Sequence, residues 1–124
     1  MRRTLLVGSA LALLLASAPQ GMAHHSPAAF NLTVTDFAIR GEIEFVEMRN
    51  PHSVMKLRVA NDDGSTTQWD IEFSSVNLLL RRGWDFERIK TGDRVTCIGN
   101  PSATERSEMY MWSIVLADGT EFGR

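Results

Sequence analysis

The chain holds three histidines, and their placement is the chemistry that stands above background. His24 and His25 lie where an exported form of the chain would begin, and His52 closes the step Asn50-Pro51-His52. Removal of a leader after Ala23 gives His24 a free amine beside its imidazole, two nitrogens that can chelate one metal ion. A second imidazole, from His52 or His25, would complete a T-shaped nitrogen set, the histidine brace of copper proteins. Three nitrogen donors in tetragonal geometry favour copper(II), which also heads the divalent affinity order. Glu72 joins the candidate metal set, as a ligand or as the partner that holds a ligating ring through its other N–H. The bland alternative uses the same residues. His24 and His25 are then a solvated terminus, His52 a polar turn residue, and Glu72 and Asp70 a solvated strand face.

Other chemistry is thinner. Met109 and Met111 share one strand face, and thioethers take copper(I), but methionines at strand spacing are more often packing filler. Cys97 is the single cysteine, so no disulfide can form within one chain. It falls at a core position of its strand and reads as a small buried hydrophobe. No nucleophile elbow, phosphate loop, Cys-x-x-Cys pair or His-Glu-x-x-His helix occurs, so no catalytic residue and no organic cofactor is assigned.

The first 23 residues have the order of a secretory signal peptide. Arg2 and Arg3 are its positive start, residues 5–16 its apolar run, and Gly21-Met22-Ala23 its cleavage step. The apolar run is short of the roughly 20 residues that span a bilayer. A cut after Ala18 also follows a small-x-small step, but it would leave Pro19 first. Cleavage after Ala23 implies a periplasmic or secreted protein, a leader over residues 1–23 and one domain over 24–124. The full chain of 124 residues carries a formal net charge of −2, and the leader's arginines make the exported part more acidic still. Such a domain is a poor match to a nucleic-acid backbone, which needs concentrated basic surface.

The elements that must position these residues read as strands. Residues 40–47 alternate, with Ile43 and Phe45 on one face and Glu42 and Glu44 on the other. Asn50-Pro51 interrupts the pattern. Residues 53–60 resume it with Met55, Leu57 and Val59 inward. Asp62-Asp63-Gly64 signals a hairpin, and residues 67–73 follow with Trp69, Ile71 and Phe73 inward and Asp70 and Glu72 outward. Ser74-Ser75 can cap a short helix whose apolar face is Val76, Leu79 and Leu80, stopped by Gly83. Trp84 then packs the helix end on the sheet. Residues 94–99 and 110–116 are two more strands, and Asp118-Gly119 turns into Glu121-Phe122. Three strands, a short helix and two or three strands predict an all-β fold: a small antiparallel OB-like barrel of five to six strands, with an open sandwich as the alternative.

Several of these residues together resemble a known family. They are the start Ala23-His24-His25-Ser26, Gly41, Asn50-Pro51-His52, Trp69 with Glu72, Leu79 with Gly83-Trp84, Gly92-Asp93, Gly99 with Pro101, and Asp118-Gly119. The chain is similar throughout its exported part to the small secreted bacterial proteins of domain-of-unknown-function family 6152. It departs from their pattern at Met48-Arg49, where an aromatic is usual, and at Pro27. The resemblance implies a Gram-negative exported protein, periplasmic, with no established activity.

Three readings follow. One is a periplasmic metal-binding module, for copper, using His24, His52 and His25. Another is a non-enzymatic barrel that binds a peptide, glycan or partner protein on the outward row Val54, Lys56, Arg58, Asp70 and Glu72; it predicts indifference to His24→Ala. The third, a brace-type copper oxidase, needs an open coordination position and a substrate surface, and the residues name neither. A binding protein is therefore expected rather than an enzyme, with a metal ion or a periplasmic partner as its ligand, and with no nucleic acid and no membrane span after leader removal.

Overall fold

The computed structural model describes residues 27–124. His24, His25 and the cleavage step at Ala23 lie outside the described residues. Six strands form in chain order: β1 (Phe37–Glu47), β2 (Ser53–Ala60), β3 (Thr66–Phe73), β4 (Arg94–Pro101), β5 (Glu108–Leu116) and β6 (Glu121–Phe122). The helix α1 (Val76–Arg81) and a single 3-10 turn (Phe86–Arg88) separate β3 from β4. The strands neighbour one another in the order β3-β2-β1-β4-β5-β6, and a further pairing joins β3 to β5. That pairing closes β1, β2, β3, β5 and β4 into a five-stranded barrel with the helix between its third and fourth strands, the OB-like architecture expected. β6 extends β5 outside the ring.

The barrel is mixed rather than wholly antiparallel, because β3 and β5 run parallel. Parity requires this. Strand direction cannot alternate all the way round a ring with an odd number of members, so one pair must match. The parallel pair is short: Asp70 opposite Glu108, Ile71 opposite Met109 and Glu72 opposite Tyr110.

Inside the ring the apolar alternation of the strands meets. Ile43, Leu57, Ile71, Val95, Met109 and Ile114 are all buried. Met109 and Met111 point inward as packing, and Tyr110 stands on the outer face between them. Cys97 is buried with them, and burial pushes its thiol up to about 12, so it stays protonated and unreactive at neutral pH. Trp84 closes the helix end. It stacks on Phe73 at 6.0 Å and on Phe122 at 5.8 Å, and its indole N–H donates to the Gly123 carbonyl at 3.1 Å.

Two inward assignments are corrected. Phe45 is exposed, not in the core, because a β-bulge shifts the β1–β2 register between Ile43 and Phe45. The extra residue there flips the face of everything after it, so Val46 takes the inner side. Leu80 is exposed as well. The helix makes fewer than two turns, and only Leu79 of its residues is buried. The Ser75 cap forms as read, its hydroxyl accepting from the Leu78 N–H at 3.4 Å.

The ring is tight where strands cross. A Cβ on Gly99 would collide with the Tyr110 carbonyl and come within 2.9 Å of the Met111 Cα; one on Gly41 would collide with the Arg58 carbonyl. These obstacles are backbone and cannot rotate away. Gly99→Ala and Gly41→Ala are each expected to lower stability by about 1–3 kcal/mol or more. The readout is the urea midpoint, with Gly123→Ala as control, since an added Cβ there meets nothing nearer than 3.6 Å. A wild-type midpoint for Gly99→Ala would contradict this crossing.

Candidate functional site

His52 is presented by a stapled turn. The Asn50–Pro51 peptide is cis. Around it the Arg49 N–H donates to the Ser53 hydroxyl at 3.2 Å, the Arg49 carbonyl accepts from the Val76 N–H at 3.1 Å, and the Arg49 guanidinium donates to the His52 carbonyl at 3.2 Å. Ser53 itself is fully buried and its N–H donates to the Ser74 carbonyl. The turn is thus tied to β2, to the helix start and to the end of β3. His52 leaves it with its side chain 42% exposed, on the outer face.

The strand register then supplies the partner. Val54 is opposite Glu72 and Ser53 opposite Phe73, so Glu72 is the diagonal neighbour of His52 on the same face. Its carboxylate Oε1 contacts His52 Nδ1 directly, and the Glu72 side chain is only 13% exposed. In the neutral ring this contact makes Nδ1 the donor and leaves the lone pair on Nε2, the nitrogen that could bind a metal.

The parallel closure adds a third residue. Tyr110 is opposite Glu72 across β3 and β5. Its ring lies edge-on to His52, centroids 6.2 Å apart at 81°, and its hydroxyl is 3.3 Å from the Ser74 hydroxyl. Phe30 also neighbours Tyr110, at 5.9 Å. Phe30 is only 6% exposed although it stands outside the barrel's core cluster. The segment that carries it is bonded to the end of β4 and to the β4–β5 connection. The Asn31 N–H donates to the Pro101 carbonyl at 2.8 Å, the Ala103 N–H to the Ala29 carbonyl at 2.9 Å, and Asn100 Nδ2 to the Val34 carbonyl at 2.8 Å. Phe30 thus neighbours Tyr110, which in turn neighbours His52.

Of the sequence-derived site residues, His52 and Glu72 are brought together. Asp70 is not part of the cluster: it pairs with Lys56 at 3.2 Å and is 60% exposed, a contact worth about 0–1 kcal/mol. Tyr110, Ser74 and Phe30 were not among the candidates. Tyr110 reads in sequence only as one more alternating aromatic, and its place beside Glu72 depends on the parallel pairing. Among the described residues, no group of three or more His, Cys, Asp and Glu side chains could hold a metal ion.

Charges are matched in part of the remaining strand face. Arg58 reaches Glu42 at 2.9 Å and Glu44 at 3.5 Å, so the outward face of β1, β2 and β3 carries paired rather than spare cations at Lys56 and Arg58. An open cleft of about 370 Å³ lies at the other end of β5, between Arg88, Lys90, Arg94, Leu116 and Asp118. Hydrogen bonds from Thr120, with Arg88 alongside, hold the exposed Asp118 carboxyl below its usual range. Among the described residues no helix is long and apolar enough to cross a membrane.

The site and fold define a small OB-like barrel with a histidine, a glutamate and a tyrosine clustered on its outer face. A model of the family of unknown function DUF6152 matches residues 11–109, and the chain belongs to that family. No curated protein and no solved structure matches it.

The His52–Glu72 contact makes a direct prediction. Nitrogen NMR of the neutral His52 ring is expected to show the proton on Nδ1, and Glu72→Ala to release the ring to the Nε2–H form that an unconstrained histidine side chain prefers. An Nε2–H ring in the unaltered protein would contradict the contact.

Proposed function

We propose that this is an exported periplasmic metal-binding module that takes copper(II) between its N-terminal arm and its barrel. His24 contributes an amine and an imidazole once the leader leaves after Ala23. His52 contributes Nε2, and His25 is a further imidazole on the same arm. Glu72 acts from behind, holding the ring through Nδ1 in the carboxylate–histidine–metal arrangement common to metal sites. Nitrogen donors of this kind favour copper(II) over the other divalent first-row ions.

The observation that carries this reading is the anchoring of the arm. Phe30 is held against Tyr110, and Tyr110 touches His52. His24 is six residues upstream of Phe30. At about 3.3–3.6 Å per residue those six residues extend to roughly 20 Å, ample to bring the terminus to His52. A fixed anchor shortens the loop that metal binding must close and so lowers its entropic cost. Export is supported by the order of residues 1–23. A binding role is favoured over catalysis because the sequence holds no nucleophile elbow, phosphate loop or His-Glu-x-x-His helix.

The test is intact mass of the exported protein followed by copper(II) calorimetry on that species. A first residue of His24 and one-to-one binding are expected. Glu72→Gln should weaken binding by about tenfold, and His52→Ala or one extra residue before His24 by more. A different first residue, or binding unchanged by His52→Ala, would overturn the proposal.

A further inference from the structure

We propose that the cleft at the far end of β5 binds a small organic anion, a carboxylate or phosphate on a compact apolar body, through Lys90 and Arg94. The site is separate from the His52 cluster and does not depend on the metal-binding reading.

The walls of the cleft are two closed turns. In the first, the Lys90 N–H donates to the Asp93 carboxylate at 3.0 Å and the Asp93 N–H to the Lys90 carbonyl at 3.1 Å. β1 holds this turn in place. The Ile43 N–H donates to the Asp93 carbonyl at 2.9 Å, and the Gly92 N–H to the Ile43 carbonyl at 2.8 Å. In the second turn, the Gly119 N–H donates to the Leu116 carbonyl at 3.0 Å, the Leu116 N–H to the Thr120 carbonyl at 2.8 Å, and the Thr120 N–H to the Asp118 carboxylate at 2.9 Å. Arg88, just before the first turn, ties it to the second. Its guanidinium donates to Asp118 at 2.5 Å and to the Thr120 hydroxyl at 3.0 Å, and it lies 6.0 Å over the Phe122 ring. Between these walls Val95, Leu116 and Ala117 give an apolar lining. The volume of about 370 Å³ is at the small end of the roughly 300–1,000 Å³ of ligand clefts.

The charges lining the cleft cancel in number: Arg88, Lys90 and Arg94 against Glu87, Asp93 and Asp118. Their engagements do not cancel. Asp118 is occupied by Arg88 and the Thr120 N–H, and Asp93 accepts the Lys90 N–H. The side chains of Lys90 and Arg94 have no hydrogen-bond or ion-pair partner among the described residues. Arg94 stands opposite Glu42 across β1 and β4, but Glu42 turns to Arg58 at 2.9 Å. Two unengaged, exposed cations therefore face one unengaged carboxylate, Glu87. A carboxylate or phosphate suits both, since a guanidinium fork binds its oxygens in pairs and an ammonium meets them as a point charge. The apolar lining then takes the body of the ligand.

The experiment follows backbone amide signals of the metal-free protein during titration with benzoate, phenyl phosphate and the neutral benzamide. Benzoate or phenyl phosphate is expected to give saturable shifts at Val95, Ala117 and Asp118, with Val54 and Tyr110 unmoved and benzamide without effect. For ligands this small a dissociation constant of about 1–10 mM is expected. The tighter of the two anions tells a carboxylate ligand from a phosphate one. Lys90→Gln and Arg94→Gln should each weaken binding by about threefold, and the pair by about tenfold. Added salt should weaken it as well. Glu87→Gln should tighten it, because it removes the unengaged carboxylate. These side chains are exposed, so the variants keep the fold, which unchanged signals elsewhere in the barrel will verify.

The absence of a saturable shift with either anion would overturn the proposal. Binding of benzamide as tight as that of benzoate and phenyl phosphate would overturn it too, as would anion binding unchanged in the Lys90→Gln/Arg94→Gln pair.

Discussion

The parallel pairing of β3 with β5 is the constraint on which the rest depends. A five-membered ring of strands needs one parallel contact to close, and this chain spends it on three residue pairs. Closure buries Ile71 and Met109 in the ring. On the outer face it sets Glu72 beside Tyr110. Without it β3 would be an open edge, the core would lose one wall, and the histidine–glutamate pair would have no aromatic neighbour. The same three pairs thus complete the core and assemble the candidate site.

The site's other half comes from local order. The turn before β2 is held by bonds to Ser53, Ser74 and Val76, so His52 leaves a rigid base, and the antiparallel register with β3 makes Glu72 its diagonal neighbour. A histidine held at Nδ1 by a carboxylate has one nitrogen with a lone pair facing away. The segment around Phe30 lies along the end of β4 and the β4–β5 connection, tied there by backbone bonds. Rigid strands position His52 and Glu72, and the segment anchored at Phe30 precedes them in the chain, next to the residues proposed as further ligands. The cleft near Arg88 and Asp118 is remote from this arrangement, at the opposite end of β5.

Much of the fold was legible because strand alternation is local. Met55, Leu57, Ile71, Phe73, Val95 and Cys97 all face inward as their spacing indicates. Turn glycines also announce themselves: Gly64, Gly83 and Gly119 adopt positive φ where chain reversals were read. Alternation fails where a strand gains a residue, and so Phe45 was placed on the wrong face. It fails for Leu80 because a helix of six residues has too short a face for two leucines to be covered. The pairing of His52 with Glu72 could be anticipated from outward registers one strand apart. Tyr110 and Phe30 could not, since both depend on contacts between segments about forty to eighty residues apart along the chain that no local pattern encodes.

The central claim is that copper bound at the terminus sits against the barrel face beside His52. It is tested most directly by paramagnetic broadening of backbone amide signals in the copper(II)-loaded chain that begins at His24. Broadening at Phe30, Val54, Glu72 and Tyr110, with Arg88, Asp93 and Asp118 left sharp, is the predicted result. Broadening confined to the first few residues, with Val54 and Glu72 unaffected, would mean a loose terminal chelate and would contradict it.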